Sequence, residues 1–196
     1  MKELEIKKNI IEVAKKYFSK YGYHKTTMDE IARHMHKAKS LLYYYFKNKE
    51  TLFNEVLKYE LNNIKQELKN ITQSNIDAFD MIQQYLLVRF KLLNRAYNYQ
   101  ETLRADFFEK YDFVKDVRED FANFEKKQLK FIIQKSKEEA NANISNINRS
   151  VNLILFILNS IEVPLYLQDK YEEFKDTIDE LINFIIQGLK TATTKK

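Results

Sequence analysis

Helix breakers are scarce in this 196-residue chain, which has two glycines, one proline and no cysteine. Glycine and proline disfavour helix interiors by about 1 and about 3 kcal/mol. Their near-absence over this length predicts an almost wholly helical, all-α protein. The lack of cysteine excludes disulfides and thiolate-held metals, and it fits a reducing compartment, so a cytoplasmic location is expected. An apolar signal core is also missing at the amino terminus, where MKELEIKKNI is interrupted by charges. The most apolar stretch, residues 151–167, contains Asn152, Asn159, Ser160, Glu162 and Pro164. It reads as too short and too polar to span a bilayer, and no membrane partner is expected. The chain is long enough for one or two domains with a real hydrophobic core.

Catalytic signatures are absent as well. The sequence has no cysteine nucleophile, no P-loop, no glycine-rich nucleotide fingerprint and no His-Glu-x-x-His. Nor does it carry the paired Glu-x-x-His of di-iron bundles. No enzymatic activity and no cofactor are expected. His24, His34 and His36 gather near one turn, but no carboxylate or thiolate stands at metal-site spacing beside them, so no metal is expected.

Charge is distributed unevenly. Residues 1–53 hold 12 Lys and Arg against 6 Asp and Glu, whereas residues 54–196 hold 21 against 22. The whole positive excess lies in the amino-terminal quarter, the footprint expected of a module that meets nucleic acid.

Within that quarter, residues 26–52 (TTMDEIARHMHKAKSLLYYYFKNKETL) read as two short helices joined by a tight turn, followed by the start of a long one. Thr27 and Glu30 have the spacing of a capping box and start a helix over residues 28–35. Ile31 and Ala32 give it an inward face. A turn of about four residues leads to a second helix over residues 38–45, as a helix-turn-helix requires. Leu42 and Phe46, four apart, point inward together. Lys39, Ser40, Leu41, Tyr43 and Tyr44 are left outward, where such side chains can reach phosphate oxygens and base edges. Asn48 is placed to cap the next helix. Lys49 follows in its first turn, unfavourable against the helix dipole unless a phosphate approaches.

The residues Ala14, Phe18, Tyr21-Gly22-Tyr23, Thr26-Thr27, Ile31-Ala32, Leu42-Tyr43, Tyr45-Phe46, Lys49-Glu50 and Leu52 together resemble the TetR family of transcriptional regulators. The resemblance covers roughly the first quarter of the chain. It implies that Thr27, Tyr43, Tyr45 and Lys49 touch the DNA backbone. It also implies that Lys37, Ala38, Lys39, Ser40, Leu41 and Tyr44 read bases or flank the reading positions. Three departures stand out. His36 occupies a turn position that is usually glycine, where φ > 0 costs histidine more. Ala38 replaces a capping Ser or Thr, a loss of about 1 kcal/mol. Ser40-Leu41 replaces a small Gly-Thr pair, which alters the sequence read and the closeness of approach.

The remaining pattern is helical. Residues 3–21 carry a stripe of Ile6, Ile10, Ala14, Tyr17, Phe18 and Tyr21, closed by Gly22 in a left-handed conformation. A helix over residues 48–71 carries Leu52, Phe53, Val56, Leu57, Leu61, Ile64, Leu68 and Ile71 without a flexible linker. Its stiffness would carry a push from one end to the other. Further helices are expected over residues 76–96, capped by Ser74 or Asn75, and over residues 100–110, 113–140, 147–168 and 172–191. The asparagine-rich residues 141–148 read as a surface loop. Residues 1–50 form the expected helix-turn-helix DNA-binding domain, and residues 51–196 the ligand-binding and dimerisation domain.

The last two helices are apolar around much of their girth and need cover on more than one side. A homodimer through a four-helix interface follows, with Ile154, Leu158, Ile161, Ile178, Leu181, Ile182 and Ile185 assigned to it. The family resemblance implies the same place for dimerisation. It also implies a small-molecule pocket among the middle helices, where binding releases double-stranded DNA. Tyr85, Arg89, Tyr97, Arg104, Phe108 and Phe124 are its candidate lining, with the two arginines suited to an acidic headgroup. The expected partners are therefore double-stranded DNA, a second copy and an apolar or aromatic effector. The rival reading is a helical protein-interaction module, or a relative that has lost DNA binding.

Overall fold

The computed structural model describes residues 2–104, 111–139 and 144–191. Among these residues every regular element is a helix and no strand occurs. The chain divides into two compact units. One comprises the residues up to Asn63 together with Ala96–Glu119, the other Ile64–Arg95 together with the residues from Asp120 onward. Compactness thus groups Ala96–Glu119 with the amino-terminal helices.

In the first unit, α1 (Lys2–Lys25) buries Ile10, Ala14 and Phe18, as its stripe dictates. It does not stop at Gly22. The backbone kinks there (φ 79, ψ 161) and then completes a further turn to Lys25. This conformation lies outside the left-handed helical region and is open essentially to glycine alone. A Cβ at Gly22 would have room, with Glu101 Oε1 at 3.6 Å, so backbone conformation rather than crowding calls for glycine. The Thr26 hydroxyl donates to the Gly22 carbonyl at 2.8 Å and fixes the bend. One consequence is that Tyr21, which spacing places in the stripe, is exposed, whereas Tyr23 beyond the kink is buried.

Helix α2 (Met28–His34) and helix α3 (Lys39–Tyr45) follow, with the turn between them passing through His36 at φ 51. Helix α4 (Lys49–Thr72) is capped by Asn48, whose Oδ1 accepts from the Thr51 N–H at 2.8 Å. Its buried row runs through Leu52, Phe53, Val56, Leu57 and Leu61 in this unit, and Ile64 and Leu68 belong to the other. The short α6 (Tyr97–Glu101) packs on α1. Its Asn98 Nδ2 donates to Ser19 Oγ at 2.9 Å and to Glu60 Oε1 at 3.1 Å, while the Tyr99 N–H donates to Glu60 Oε2 at 2.9 Å. Glu60, from α4, is thus a buried carboxylate tying three helices together, with Lys15 Nζ 3.6 Å away. Burial raises its pKa, against the pull of the Tyr99 amide and the Lys15 charge.

The second unit contains α5 (Ala78–Leu93), most of α7 (Lys115–Glu139), α8 (Ile147–Glu162) and α9 (Lys175–Thr191). Helix α5 starts two residues later than the sequence suggests. The cap is Asp77, not Ser74 or Asn75, and its Oδ1 accepts from the Phe79 N–H at 2.7 Å. Asn146 caps α8 by accepting from the Arg149 N–H at 3.0 Å, and the helix begins at Ile147, where the sequence places it. A single helix does not continue to residue 168. Instead a wider π-type turn, Val163–Leu167, takes over where Pro164 cannot donate to the preceding turn. Together these make 21 helical residues, Ile147–Leu167, which by length and hydropathy alone suffice to cross a bilayer. That corrects the expectation that the segment is too short. One face of it packs into the second unit. Val151, Ile154, Leu158 and Leu165 are buried within the chain, and Glu162 is ion-paired to α5.

That ion pair belongs to a buried triad. Arg89 Nε and Nη2 of α5 donate to the two carboxylate oxygens of Glu125 of α7, and Nη2 also donates to Glu162 Oε1 of α8 at 2.6 Å. Burial opposes the charge on Arg89, but the two carboxylates outweigh it and hold the guanidinium protonated well above its ordinary range. Burial also raises the carboxyl pKa of Glu125, against the attraction of Arg89.

Candidate nucleic-acid interface

The site is built on the α2–turn–α3 unit. Both halves of the capping box form. The Glu30 N–H donates to Thr27 Oγ1 at 3.2 Å, and the Thr27 N–H donates to Glu30 Oε2 at 2.9 Å. These bonds to Thr27 lower the pKa of the Glu30 carboxyl. The Thr27 hydroxyl also donates to Glu30 at 2.8 Å, so its one proton is already engaged. Toward a phosphate, Thr27 has a donor to offer only if Glu30 releases it.

Helix α3 is held by its two inward side chains, Leu42 at 0% and Phe46 at 1% exposure. With one face fixed, the other is presented to solvent. Lys37, Lys39, Ser40, Tyr43 and Tyr44 are exposed, Tyr44 at 73%, while Leu41 and Tyr45 are half-buried at the edges. The Tyr44 and Tyr45 rings meet edge to face at 5.0 Å, which limits the freedom of both. Ala38 stands at the cap position and makes no side-chain bond to the helix start.

The side chains of this surface have partners of their own. Lys39 Nζ lies 2.7 Å from Asp29 Oδ1 and 5.6 Å from the centre of the Tyr43 ring. The Tyr44 hydroxyl donates to Glu3 Oε1 at 3.4 Å. Lys49 turns inward. Its ammonium donates to the carbonyls of Tyr23 at 2.9 Å and His24 at 3.4 Å, and burial lowers its pKa. Sequence spacing gives no sign of the Asp29 and Glu3 contacts, which depend on how separate helices pack.

The expected effector residues are divided between the two compact units. Tyr85, Arg89 and Phe124 belong to the second unit, Tyr97 and Arg104 to residues of the first, and Phe108 lies outside the described residues. Arg89 is fully buried and engaged by Glu125 and Glu162, which removes it as the receiver of an acidic headgroup. Arg104 pairs with Glu101 at 3.1 Å on the surface, and Tyr97 is exposed. The Tyr85 hydroxyl is buried and has no hydrogen-bond partner among the described residues. Two cavities of the second unit are lined by other side chains. One, of about 300 Å³, is lined by Leu87, Phe90, Lys91, Arg95, Tyr171 and Ile178, among others.

The other, an apolar groove of about 390 Å³, lies between α8 and α9 and is lined by Leu153, Ile157, Leu181, Phe184 and Ile185, among others. It bears on the expected interface. Ile154, Leu158, Ile178 and Ile182 are covered within their own chain, whereas Ile161, Leu181 and Ile185 are half-buried. The side chains left outward are Leu153, Phe156 (71% exposed) and Phe184 (74% exposed). Leu153 and Phe156 are visible in the sequence as a widening of the apolar stripe. Phe184 has the polar flank Asn183 on one side and no stripe to reveal it.

A family model described as bacterial regulatory proteins, tetR family, matches residues 10–56. The chain is 32% identical over 101 residues to the HTH-type transcriptional regulator YhgD of Bacillus subtilis, covering 52% of this chain and 51% of that protein. It thus spans about half the length of that relative. It is 25% identical over 201 residues to the biofilm operon icaADBC HTH-type negative transcriptional regulator IcaR of Staphylococcus aureus, covering 93% of this chain and all of that one. Its fold is similar to that of a transcriptional regulator from Cytophaga hutchinsonii, with TM-score 0.80, 26% identity and coverage of 93% and 97% of the two chains.

Proposed function

The chain belongs to the TetR family of transcriptional regulators, and from that premise we propose that it binds a pseudo-palindromic operator as a homodimer and represses from there. The observation that carries the reading is α3, pinned by Leu42 and Phe46 with Lys39, Ser40, Tyr43 and Tyr44 outward, in a segment with an excess of six positive charges. Two such helices related by a two-fold axis enter successive major grooves, with half-sites about 34–36 Å apart or a multiple of that. Lys37 flanks the reading positions, and Thr27, Tyr43, Tyr45 and Lys49 meet phosphate. The functional division follows, with residues 1–50 binding DNA and residues 51–196 pairing the copies and taking the effector. A DNA-bound role places the protein in the cytoplasm.

Pairing of copies is supported by the exposed Leu153 and Phe184 lining the apolar groove of α8 and α9, and by the exposed Phe156 of α8. The effector is apolar or aromatic, in keeping with the buried Tyr85, Phe90 and Phe121 of the second unit. With Arg89 committed to two carboxylates, an acidic headgroup is not required of it. Electrophoretic mobility shift with the DNA upstream of the protein's own gene, at two salt concentrations, tests the reading. A shift that weakens steeply with salt is expected. No shift on that DNA or on a randomised duplex pool, even at low salt, overturns it.

A further inference from the structure

We infer that Asp29 is a specificity-determining residue, whose carboxylate keeps Lys39 from phosphate while leaving its other N–H donors to a base edge. The inference rests on the DNA-binding reading above. Asp29 stands in the first turn of α2 and Lys39 is the first residue of α3, and the two helices pack on each other through the turn at His36. That packing sets Lys39 Nζ 2.7 Å from Asp29 Oδ1, the length of a charge-assisted hydrogen bond. Asp29 also raises the lysine's pKa, so the ammonium stays charged. Both side chains are about half exposed, which leaves the pair breakable, since exposed ion pairs hold weakly. A second acid faces the same helix, Glu3 of α1 at 3.4 Å from the Tyr44 hydroxyl.

An acid on the reading surface of a basic segment works against affinity, because it repels the phosphate backbone. Beside Lys39 it acquires a different use. Binding to an arbitrary sequence is carried by lysines and arginines on phosphates, and each one engaged steepens the salt dependence by about 1. Lys39 paired with Asp29 is withdrawn from that count. A guanine presents two acceptors, O6 and N7, in fixed positions, and an ammonium that gives one N–H to Asp29 has two more to direct at them. A wrong sequence offers no such acceptors and reaches the ammonium only by breaking the pair, whereas the right one keeps it, so the acid raises the ratio of specific to non-specific binding.

The test uses the full chain as wild type, Asp29→Asn, Lys39→Met and the double variant. Each is titrated over a salt series on two probes, a duplex selected from a randomised pool by the wild type and a scrambled duplex of equal length and composition. Asp29→Asn is expected to bind the scrambled duplex about threefold more tightly, with a salt slope steeper by about 1 per protomer. Its gain on the selected duplex is smaller, so the ratio falls. With Lys39→Met already present, Asp29→Asn leaves the ratio unchanged, the uniform effect of a lost charge having cancelled. Asp29→Ser, which keeps a short polar group at the helix start, must give the same fall in ratio. An equal gain on both probes, or a fall in ratio that persists without Lys39, overturns the inference. If the wild type binds neither the pool nor the scrambled duplex at any salt, the DNA-binding reading itself has failed, an outcome separate from both.

Discussion

The Lys49 ammonium donates to the Tyr23 carbonyl at 2.9 Å and stands 4.3 Å above the ring of the same residue. The first turn of α4 is thereby clasped to the end of α1, just past the kink at Gly22. A lysine at this position reads from sequence as a phosphate ligand. In the free protein it serves as an internal strap that closes the three-helix arrangement, and a phosphate would have to share it with two carbonyls.

Lys49→Met should therefore cost about 1 kcal/mol of stability, from a charge-assisted bond and a cation–π contact that are both half-exposed. Because Lys49 joins α4 to α1 and lies outside the base-reading face of α3, DNA affinity should fall alike on every sequence. Changes at Lys39 or Tyr44 should instead alter which sequence is preferred. Urea melts check the first part, and competition on a randomised operator checks the second. Equal losses across sequences for all three positions would contradict this division of roles.

Local chemistry made much of the amino-terminal unit legible in the sequence. The Thr27–Glu30 box, the Leu42 and Phe46 anchors and the Asn48 cap all rest on spacings of three or four residues, and a helix fixes what such spacings mean. The family resemblance marked His36 as standing where glycine is usual, and its backbone takes φ 51. Partners distant in sequence were not legible. Arg89 meets residues 36 and 73 positions away, and no periodicity signals that a buried arginine will find two carboxylates rather than a ligand. The apolar girth of α8 and α9 showed that two sides needed cover. It did not show which side the chain covers itself, because that depends on how α5 packs against α9.

The Arg89–Glu125–Glu162 triad holds three helices of the second unit through one fully buried guanidinium. Arg89→Met would leave two carboxylates facing each other away from water, and a loss of about 3–5 kcal/mol is expected. Arg89→Lys should not rescue it, since a single ammonium cannot reproduce the forked geometry toward two acids. Glu125→Gln should cost less than Arg89→Met, because it removes one buried charge and retains an acceptor. Denaturant unfolding of the three variants gives the order, and an Arg89→Lys variant as stable as the wild type would refute the geometric account.

Glu60 makes a prediction about pH. Its carboxyl pKa is raised in the folded protein by burial, so the folded state binds the proton more tightly than the unfolded chain does. For a raised carboxyl the stabilising contribution is present below the unfolded value, about 4.3, and is lost as pH rises through the higher folded value. Glu60→Gln removes that loss while retaining an acceptor for Asn98. The stability difference between variant and wild type should therefore move in the variant's favour as pH is raised from about 4 to about 7. Thermal melts at both pH values measure it, and a difference that stays constant or moves toward the wild type would remove Glu60 as the titrating group.

Leu158 and Phe184 separate the two jobs of the last helices. Leu158 is fully buried within the chain, and Leu158→Ala should cost about 2–5 kcal/mol through the cavity it leaves. Phe184 is 74% exposed beside the groove between α8 and α9, so nothing within the chain depends on its ring. Phe184→Asp should leave the unfolding of a dilute monomer nearly unchanged, because an exposed helix position accepts a charge. It should abolish self-association, because a carboxylate buried in an apolar interface has no partner there. Sedimentation of the two variants then distinguishes them, with Leu158→Ala still pairing where it folds and Phe184→Asp remaining single. A Phe184→Asp protein that pairs as tightly as the wild type would move the interface away from this groove. Weakened operator binding in the same variant, with the α3 surface untouched, would tie DNA affinity to the pairing of two copies.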